Sequence, residues 1–276
     1  MLVNSNELLK DALKEGYAIP SYNINNLEWT RFILEECNLN KSPVILAVTP
    51  SAISYFGGER VVYSVVTALI KVLDIKVPVV LHLDHGRNFE DCKRAIDAGF
   101  TSVMIDSSNK SLEENINETN KVIDYATKNN VTVEAEIGNI INGELTSLED
   151  AITLVRETNV NSLAPYIGNK HGIYESGDTL DFELLGQICK NVKIPLVLHG
   201  ASGLDENKIK TAIFCGVSKI NFNTDLQIAW TNSIKAYLEY NKDVYDPRKI
   251  IKSGEKALKR VISEKNTIIG SKNRAN

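Results

Sequence analysis

The stretch Val79-Val80-Leu81-His82-Leu83-Asp84-His85-Gly86, followed by Phe89 to Ala98 and then by Ser102-Val103-Met104-Ile105-Asp106, decides the fold. An apolar, β-rich run ending in polar residues gives way to an amphipathic helical stretch and then to a second such run. That alternation implies a strand–helix–strand unit in a parallel sheet. It recurs in both directions. Strand candidates run from Ala18 to Asn23, Val44 to Val48, Val79 to Asp84, Ser102 to Ile105, Thr132 to Ile137, Ser162 to Ile167, Leu196 to His199, and Lys219 to Asn223. Helix candidates between them include Phe89 to Ala98, Ser111 to Lys128 and Asp205 to Phe214, the last closed by Gly216 as a C-cap.

Eight strand–helix pairs in about 250 residues give the size and rhythm of a (β/α)8 (TIM) barrel, here expected as one domain over residues 1–276. A doubly wound open sheet is the alternative. Against it, Pro20-Ser21-Tyr22-Asn23 stands where a glycine-rich dinucleotide fingerprint would follow the first strand. Ser5 to Glu15 reads as an extra N-terminal helix and Pro247 to Lys265 as a C-terminal helical extension, both expected to pack outside the barrel.

With 43% hydrophobic and 24% charged residues, the chain has the composition of a globular protein. Its net charge of −4 carries no basic blocks, which argues against nucleic acid as a partner. Cys37, Cys92, Cys189 and Cys215 lack the spacing of a disulfide framework or thiolate metal site and read as reduced core residues. The N-terminus has no leader pattern and no apolar run is long enough to span a bilayer, so a cytoplasmic protein without membrane contact is expected.

In such a barrel the active site forms at the C-terminal ends of the strands. Asn23, Thr49, Asp84 with His85, Asp106, Glu136, His171, His199 and Asn221 to Thr224 fall at or just past those ends, in order. Singly, each has an ordinary explanation, a hydrogen-bonded structural histidine or, for Asp84, a helix cap. Together the histidines carry more. His85, His171 and His199 are three of only four in the chain, each followed by glycine, and three imidazoles with an open position describe a catalytic zinc site. Asp84 puts a carboxylate beside it. His82 lies two residues back along the same strand and reads as a supporting group. The turn Gly200-Ala201-Ser202-Gly203 and the run Asn221-Phe222-Asn223-Thr224 follow the seventh and eighth strands, where barrels bind phosphate through backbone N–H groups.

These residues bring the chain close to the class II, zinc-dependent ketose-bisphosphate aldolases, which include fructose- and tagatose-bisphosphate aldolases. It resembles them through Ser42 to Ala47, His82-Leu83-Asp84-His85, Met104 to Ser108, Val133 to Gly138, Leu198 to Ser202, Lys219-Ile220-Asn221 and Tyr245-Asp246-Pro247-Arg248, across almost the whole sequence. The resemblance implies His85, His171 and His199 as zinc ligands, Asp106 and Glu136 as second-site or supporting carboxylates, and Asp84 as the catalytic acid/base. It places a substrate phosphate on Gly172, Gly200, Ala201, Ser202, Asn223 and Thr224, with Thr49 nearby, and sets Asn221 against the reacting oxygen. A monovalent cation (Na+ or K+) near that phosphate and a homodimer or homotetramer are further family features.

The chemistry suits these groups. Cleaving the C3–C4 bond of a ketose bisphosphate leaves negative charge on the dihydroxyacetone phosphate half, which calls for a Lewis acid. The C4 hydroxyl must lose its proton to a carboxylate such as Asp84. A second group exchanges the proton on the dihydroxyacetone phosphate carbon; alignment from Glu136 gives that role to Glu144. Here the chain departs from the family, because Asn139-Ile140-Ile141-Asn142-Gly143-Glu144-Leu145 replaces a longer loop with paired glycines and an acidic cluster. Tyr166 stands where a smaller residue is common, and Lys265-Asn266-Thr267-Ile268 lacks an arginine found in some fructose-bisphosphate enzymes. Ser42 to Ala47 and Gly270 to Arg274 look tagatose-type, and Tyr245 to Lys249 looks glycolytic. Three functions follow from the sequence: a fructose- or tagatose-1,6-bisphosphate aldolase, a catalytically impaired sugar-phosphate-binding paralogue, and, last, a Schiff-base aldolase using Lys170.

Overall fold

The computed structural model describes residues 2–138, 143–170, 172, 174 and 179–275. Eight parallel strands close into a barrel in sequence order, with β8 pairing back onto β1. They are β1 (Ile19–Asn23), β2 (Val44–Val48), β3 (Val79–Gly86), β4 (Ser102–Ile105), β5 (Thr132–Ile137), β6 (Ser162–Pro165), β7 (Leu196–Leu198) and β8 (Val217–Phe222). Both strand faces are covered, one by the barrel interior and one by helices, so apart from the half-buried His85 these runs are buried rather than alternating with solvent-facing residues.

The connecting helices are α1 (Asn6–Glu15), α2 (Leu27–Leu39), α3 (Pro50–Phe56), α4 (Glu59–Val72), α5 (Phe89–Ala98), α6 (Leu112–Lys128), α7 (Leu148–Thr158), α8 (Phe182–Val192), α9 (Glu206–Phe214), α10 (Thr224–Tyr240), α11 (Pro247–Lys252) and α12 (Glu255–Ile268). Several begin on side chains that cap the first turn: Asn26, Thr49, Asn88, Ser111, Ser147, Asp181 and Asp205 each accept a hydrogen bond from an otherwise unpaired backbone N–H. These caps fix where the chain leaves each strand, and so where the strand-end side chains point.

Several expectations are corrected in detail. β3 runs on to Gly86, whereas β6 and β7 stop at Pro165 and Leu198, before Ile167 and His199. Asn169 accounts for both early ends: its Oδ1 accepts from the Ile167 N–H at 3.0 Å and its Nδ2 donates to the His199 carbonyl at 3.2 Å, drawing both residues off the ladder. β8 starts at Val217 and ends at Phe222. The C-terminal extension is two helices, parted at Gly254, where a Cβ would lie 2.2 Å from Trp230 Cδ1 of α10. α1 does not join the outer ring. It lays Leu9 and Ala12 on Tyr17, Ile19, Ile45 and Val80 and closes the N-terminal end of the barrel. The β6–β7 ladder is thin, with a single register pair, Leu163 opposite Leu196. Among the described residues no helix is long and apolar enough to cross a membrane.

Candidate active site

Side chains two apart on one strand point the same way, so the barrel interior is built in tiers. His82 and Asp84 on β3, Glu134 and Glu136 on β5, and Lys219 and Asn221 on β8 form a lower and an upper polar tier, all buried. In the upper tier the two oxygens of Asp84 are held separately. Asn23 Nδ2 donates to Oδ2 at 2.8 Å and Asn221 Nδ2 donates to Oδ1 at 3.1 Å. Burial opposes the charge on Asp84, yet His85, His199 and Lys219 outweigh it and keep the carboxyl well below the usual carboxylate range.

His85 adopts a left-handed backbone, φ 54°, a conformation costing a non-glycine residue on the order of 1–3 kcal/mol. The strain turns its ring towards the next two strands: Nδ1 lies 2.8 Å from Asp106 Oδ2 and 3.8 Å from Glu136 Oε2. Gly86 makes the turn possible, because a Cβ there would sit 2.6 Å from the Met104 carbonyl oxygen. Burial alone would lower the His85 pKa, but Asp84, Asp106 and Glu136 together push it up to about 10. Asp106, half-buried and bonded to His85 and Ser108, is held down at about 2.

His199, just past β7, stacks edge-on against His85 with ring centroids 4.8 Å apart. Its Nε2 meets Glu134 Oε1 at 2.9 Å and its Nδ1 meets Asn221 Nδ2 at 3.3 Å. Below it, Lys219 Nζ donates to Glu134 Oε2 at 2.6 Å and approaches His82 Nε2 at 3.1 Å, while His82 Nδ1 meets Ser102 Oγ at 2.8 Å. Burial and the Lys219 cation lower His82 to about 3, so it is neutral.

The donor set fits a divalent cation. One ligand atom from each of Asp84, His85 and His199 lies within 4.8 Å of the others, and the same holds for His85, Asp106 and Glu136. Glu136 Oε2 is buried without a hydrogen-bond partner, and burial with the Asp106 charge pushes Glu136 up to about 8. A buried carboxyl oxygen without a hydrogen bond, beside the His85 imidazole and the Asp106 carboxylate, is a donor that zinc, among other divalent ions, would satisfy. His171, the third expected ligand, lies outside the described residues.

Beside this cluster a cleft of about 140 Å3 is lined by Thr49, Gly172, Gly200, Ser202, Asn223 and Thr224, together with Asp84, His85, His199 and Asn221. It opens on the N-terminus of the 17-residue α10. Ser202 Oγ accepts from the Asn223 and Asp225 N–H groups at 3.3 Å each, tying the β7 turn to that helix start. A glycine-rich turn meeting a helix N-terminus suits an anion. A larger cavity, about 650 Å3 near Cys189 and Phe214, is lined by no carboxylate or imidazole, so chemistry directs attention to the smaller cleft.

Three expected residues sit elsewhere. The side chain of Ala201 is fully buried, and the Phe222 ring packs in the core 5.9 Å from that of Tyr22, so any contact with a ligand is left to their backbone. Glu144 is exposed and lines a separate depression with Ser108, Lys110 and Asp150. Conversely, reading strand ends overlooked Glu134 and Lys219. Their signal was available: charged residues in mid-strand, each two positions before a site residue, in Glu134-Ala135-Glu136 and Lys219-Ile220-Asn221.

Comparison with known proteins points to one family. The family model for class-II fructose-bisphosphate aldolase matches residues 3–274. The chain is 44% identical to a fructose-bisphosphate aldolase of Geobacillus stearothermophilus over 284 residues, covering 99% of each chain. It is 42% identical to the 6-phospho-5-dehydro-2-deoxy-D-gluconate aldolase of Bacillus subtilis (strain 168) over 281 residues, covering 99% of this chain and 97% of the other. Among solved structures, the YdjI aldolase from Escherichia coli K12 superposes with a TM-score of 0.89 at 32% identity, with full coverage of both chains.

Proposed function

This chain belongs to the class II fructose-bisphosphate aldolase family, and we propose that it is a zinc-dependent lyase cleaving a ketose 1,6-bisphosphate to dihydroxyacetone phosphate and glyceraldehyde 3-phosphate. Fructose 1,6-bisphosphate is the first choice and its C4 epimer tagatose 1,6-bisphosphate a close second. The observation that carries the reading is adjacency: the Asp84, His85 and His199 cluster shares one cleft with the anion-binding start of α10. A phosphorylated sugar held at that helix end has its carbonyl within the same small space.

His85, His171 and His199 would hold the zinc, with Asp106 and Glu136 supporting it. Bound zinc supplies Lewis-acid polarisation of the ketose carbonyl. The chain does the rest. Gly172, Gly200, Ser202, Asn223 and Thr224 bind the phosphate through backbone N–H groups and hydroxyls, with Thr49 at the edge and Ala201 and Phe222 contributing backbone only. A monovalent cation, Na+ or K+, belongs beside that phosphate on family grounds. Asp84, fixed by Asn23 and Asn221, takes the C4 hydroxyl proton as the C3–C4 bond breaks, and in reverse returns it. Asn221 also faces the reacting oxygen. Glu144 exchanges the proton on the dihydroxyacetone phosphate carbon. By the same family likeness the enzyme works as a homodimer or homotetramer.

Glu144 motivates a second reading. Its exposed position in a separate depression, on a short loop, favours a paralogue that binds metal and sugar phosphate without full turnover. One experiment separates the two. Zinc-loaded protein is assayed with fructose and tagatose 1,6-bisphosphates and with 6-phospho-5-dehydro-2-deoxy-D-gluconate, detecting dihydroxyacetone phosphate, with and without chelator. Chelator-sensitive cleavage establishes the aldolase and the rate ratios name its substrate. Metal and sugar binding with no cleavage of any of the three establishes the impaired paralogue.

A further inference from the structure

Resting on the reading of His199 as a metal ligand, we propose that Lys219 and Glu134 form a positioning pair that sets which nitrogen of His199 faces the metal. Five buried side chains from five segments of the barrel connect in one line. Ser102 Oγ meets His82 Nδ1 at 2.8 Å, His82 Nε2 meets Lys219 Nζ at 3.1 Å, Lys219 Nζ donates to Glu134 Oε2 at 2.6 Å, and Glu134 Oε1 meets His199 Nε2 at 2.9 Å. Lys219 is 1% exposed and Glu134 2%. A buried ion pair of this kind costs desolvation on both sides, so it is weak as a source of stability and calls for another purpose.

The purpose follows from hydrogen-bond inventory. An ionised carboxylate only accepts, so the His199 nitrogen facing Glu134 carries the proton, and Nδ1 is left unprotonated, an acceptor rather than a donor. That nitrogen points to the cleft, where Asn221 Nδ2 lies 3.3 Å from it. Glu134 can hold this pose only while its other oxygen is pinned, and the Lys219 ammonium does the pinning. Carboxylates that orient a ligating histidine are worth about 10–100-fold in metal affinity or activity. Here the carboxylate has a further anchor of its own, placed on β8 two residues before Asn221.

The test measures zinc affinity directly, by competition with a chromophoric chelator, and the visible spectrum of the cobalt(II)-loaded protein; neither depends on turnover. Lys219→Met is expected to weaken zinc binding about 10–100-fold. Joining Glu134→Gln to Lys219→Met gives a neutral pair that keeps an acceptor for His199, and is expected to restore affinity to within severalfold of the starting protein, with the cobalt spectrum restored alongside. Unchanged zinc affinity in Lys219→Met, or a double variant no better than the single one, overturns the proposal. If Lys219→Met does not fold, the comparison moves to Lys219→Met joined with either Glu134→Gln or Glu134→Leu. Tighter zinc binding with Gln by at least about tenfold supports the pair, and equal affinities overturn it. Failure of sugar cleavage in the unmodified protein would instead defeat the proposed function and leave the zinc measurements standing.

Discussion

Asp84 is the residue on which the proposed proton transfer turns, and its two amide partners make a sharp prediction. Asp84→Asn keeps the shape but can neither take a proton nor offer acceptors to both Asn23 and Asn221. Turnover is expected to fall by about 10²–10⁴-fold with zinc content retained, read from steady-state kinetics and metal analysis. Loss of less than tenfold would move the acid/base role to another group. At this scale the sequence was informative where residues sit at strand ends, since one rule of barrel architecture assigns those positions. It was less so for Glu134 and Lys219, because nothing in mid-strand says which side chains will meet across the interior. Four strands lie between His82 and Lys219 in the chain order, yet their nitrogens lie 3.1 Å apart.

The turn from β3 into α5 shows how one element places a site. His85 takes a strained left-handed backbone, Gly86 packs against the next strand, and Asn88 caps the helix that follows. Gly86→Ala would force a methyl against the Met104 carbonyl oxygen, Leu83 and Cys92. The end of β3 must then shift. A lowered melting temperature together with weaker zinc binding is expected, and a variant that melts earlier yet binds zinc unchanged would show that the turn does not position His85. Elements were legible as types and less so as lengths. All eight strands lie where apolar runs predict them, while the ends of β6 and β7 were set by Asn169, which ties the nearby Ile167 to the distant His199. The break at Gly254 likewise depends on Trp230, a contact between helices that periodicity does not reveal.

For the whole molecule, the closed barrel was readable because repetition is a property of the chain itself: eight alternations leave few ways to bury every strand on both faces. How the barrel is sealed was not, since α1 covers the N-terminal end by contacts with residues from three different strands. The site therefore opens only at the other end. The thin ladder between β6 and β7 has a consequence of its own. A barrel is a hoop of staves, and a hoop parts at its weakest joint. Leu163 and Leu196 share the single register pair there, so native-state amide exchange is expected to be faster at Leu163, whose N–H donates across this joint to the Pro195 carbonyl at 3.1 Å, than at Leu46 and Leu81 in the well-paired β2 and β3. His171 and His199 follow those same two staves, so zinc held by both would act as a rivet across the joint. Adding zinc should then slow exchange at Leu163 more than elsewhere; equal slowing throughout would mean that the hoop has no preferred seam.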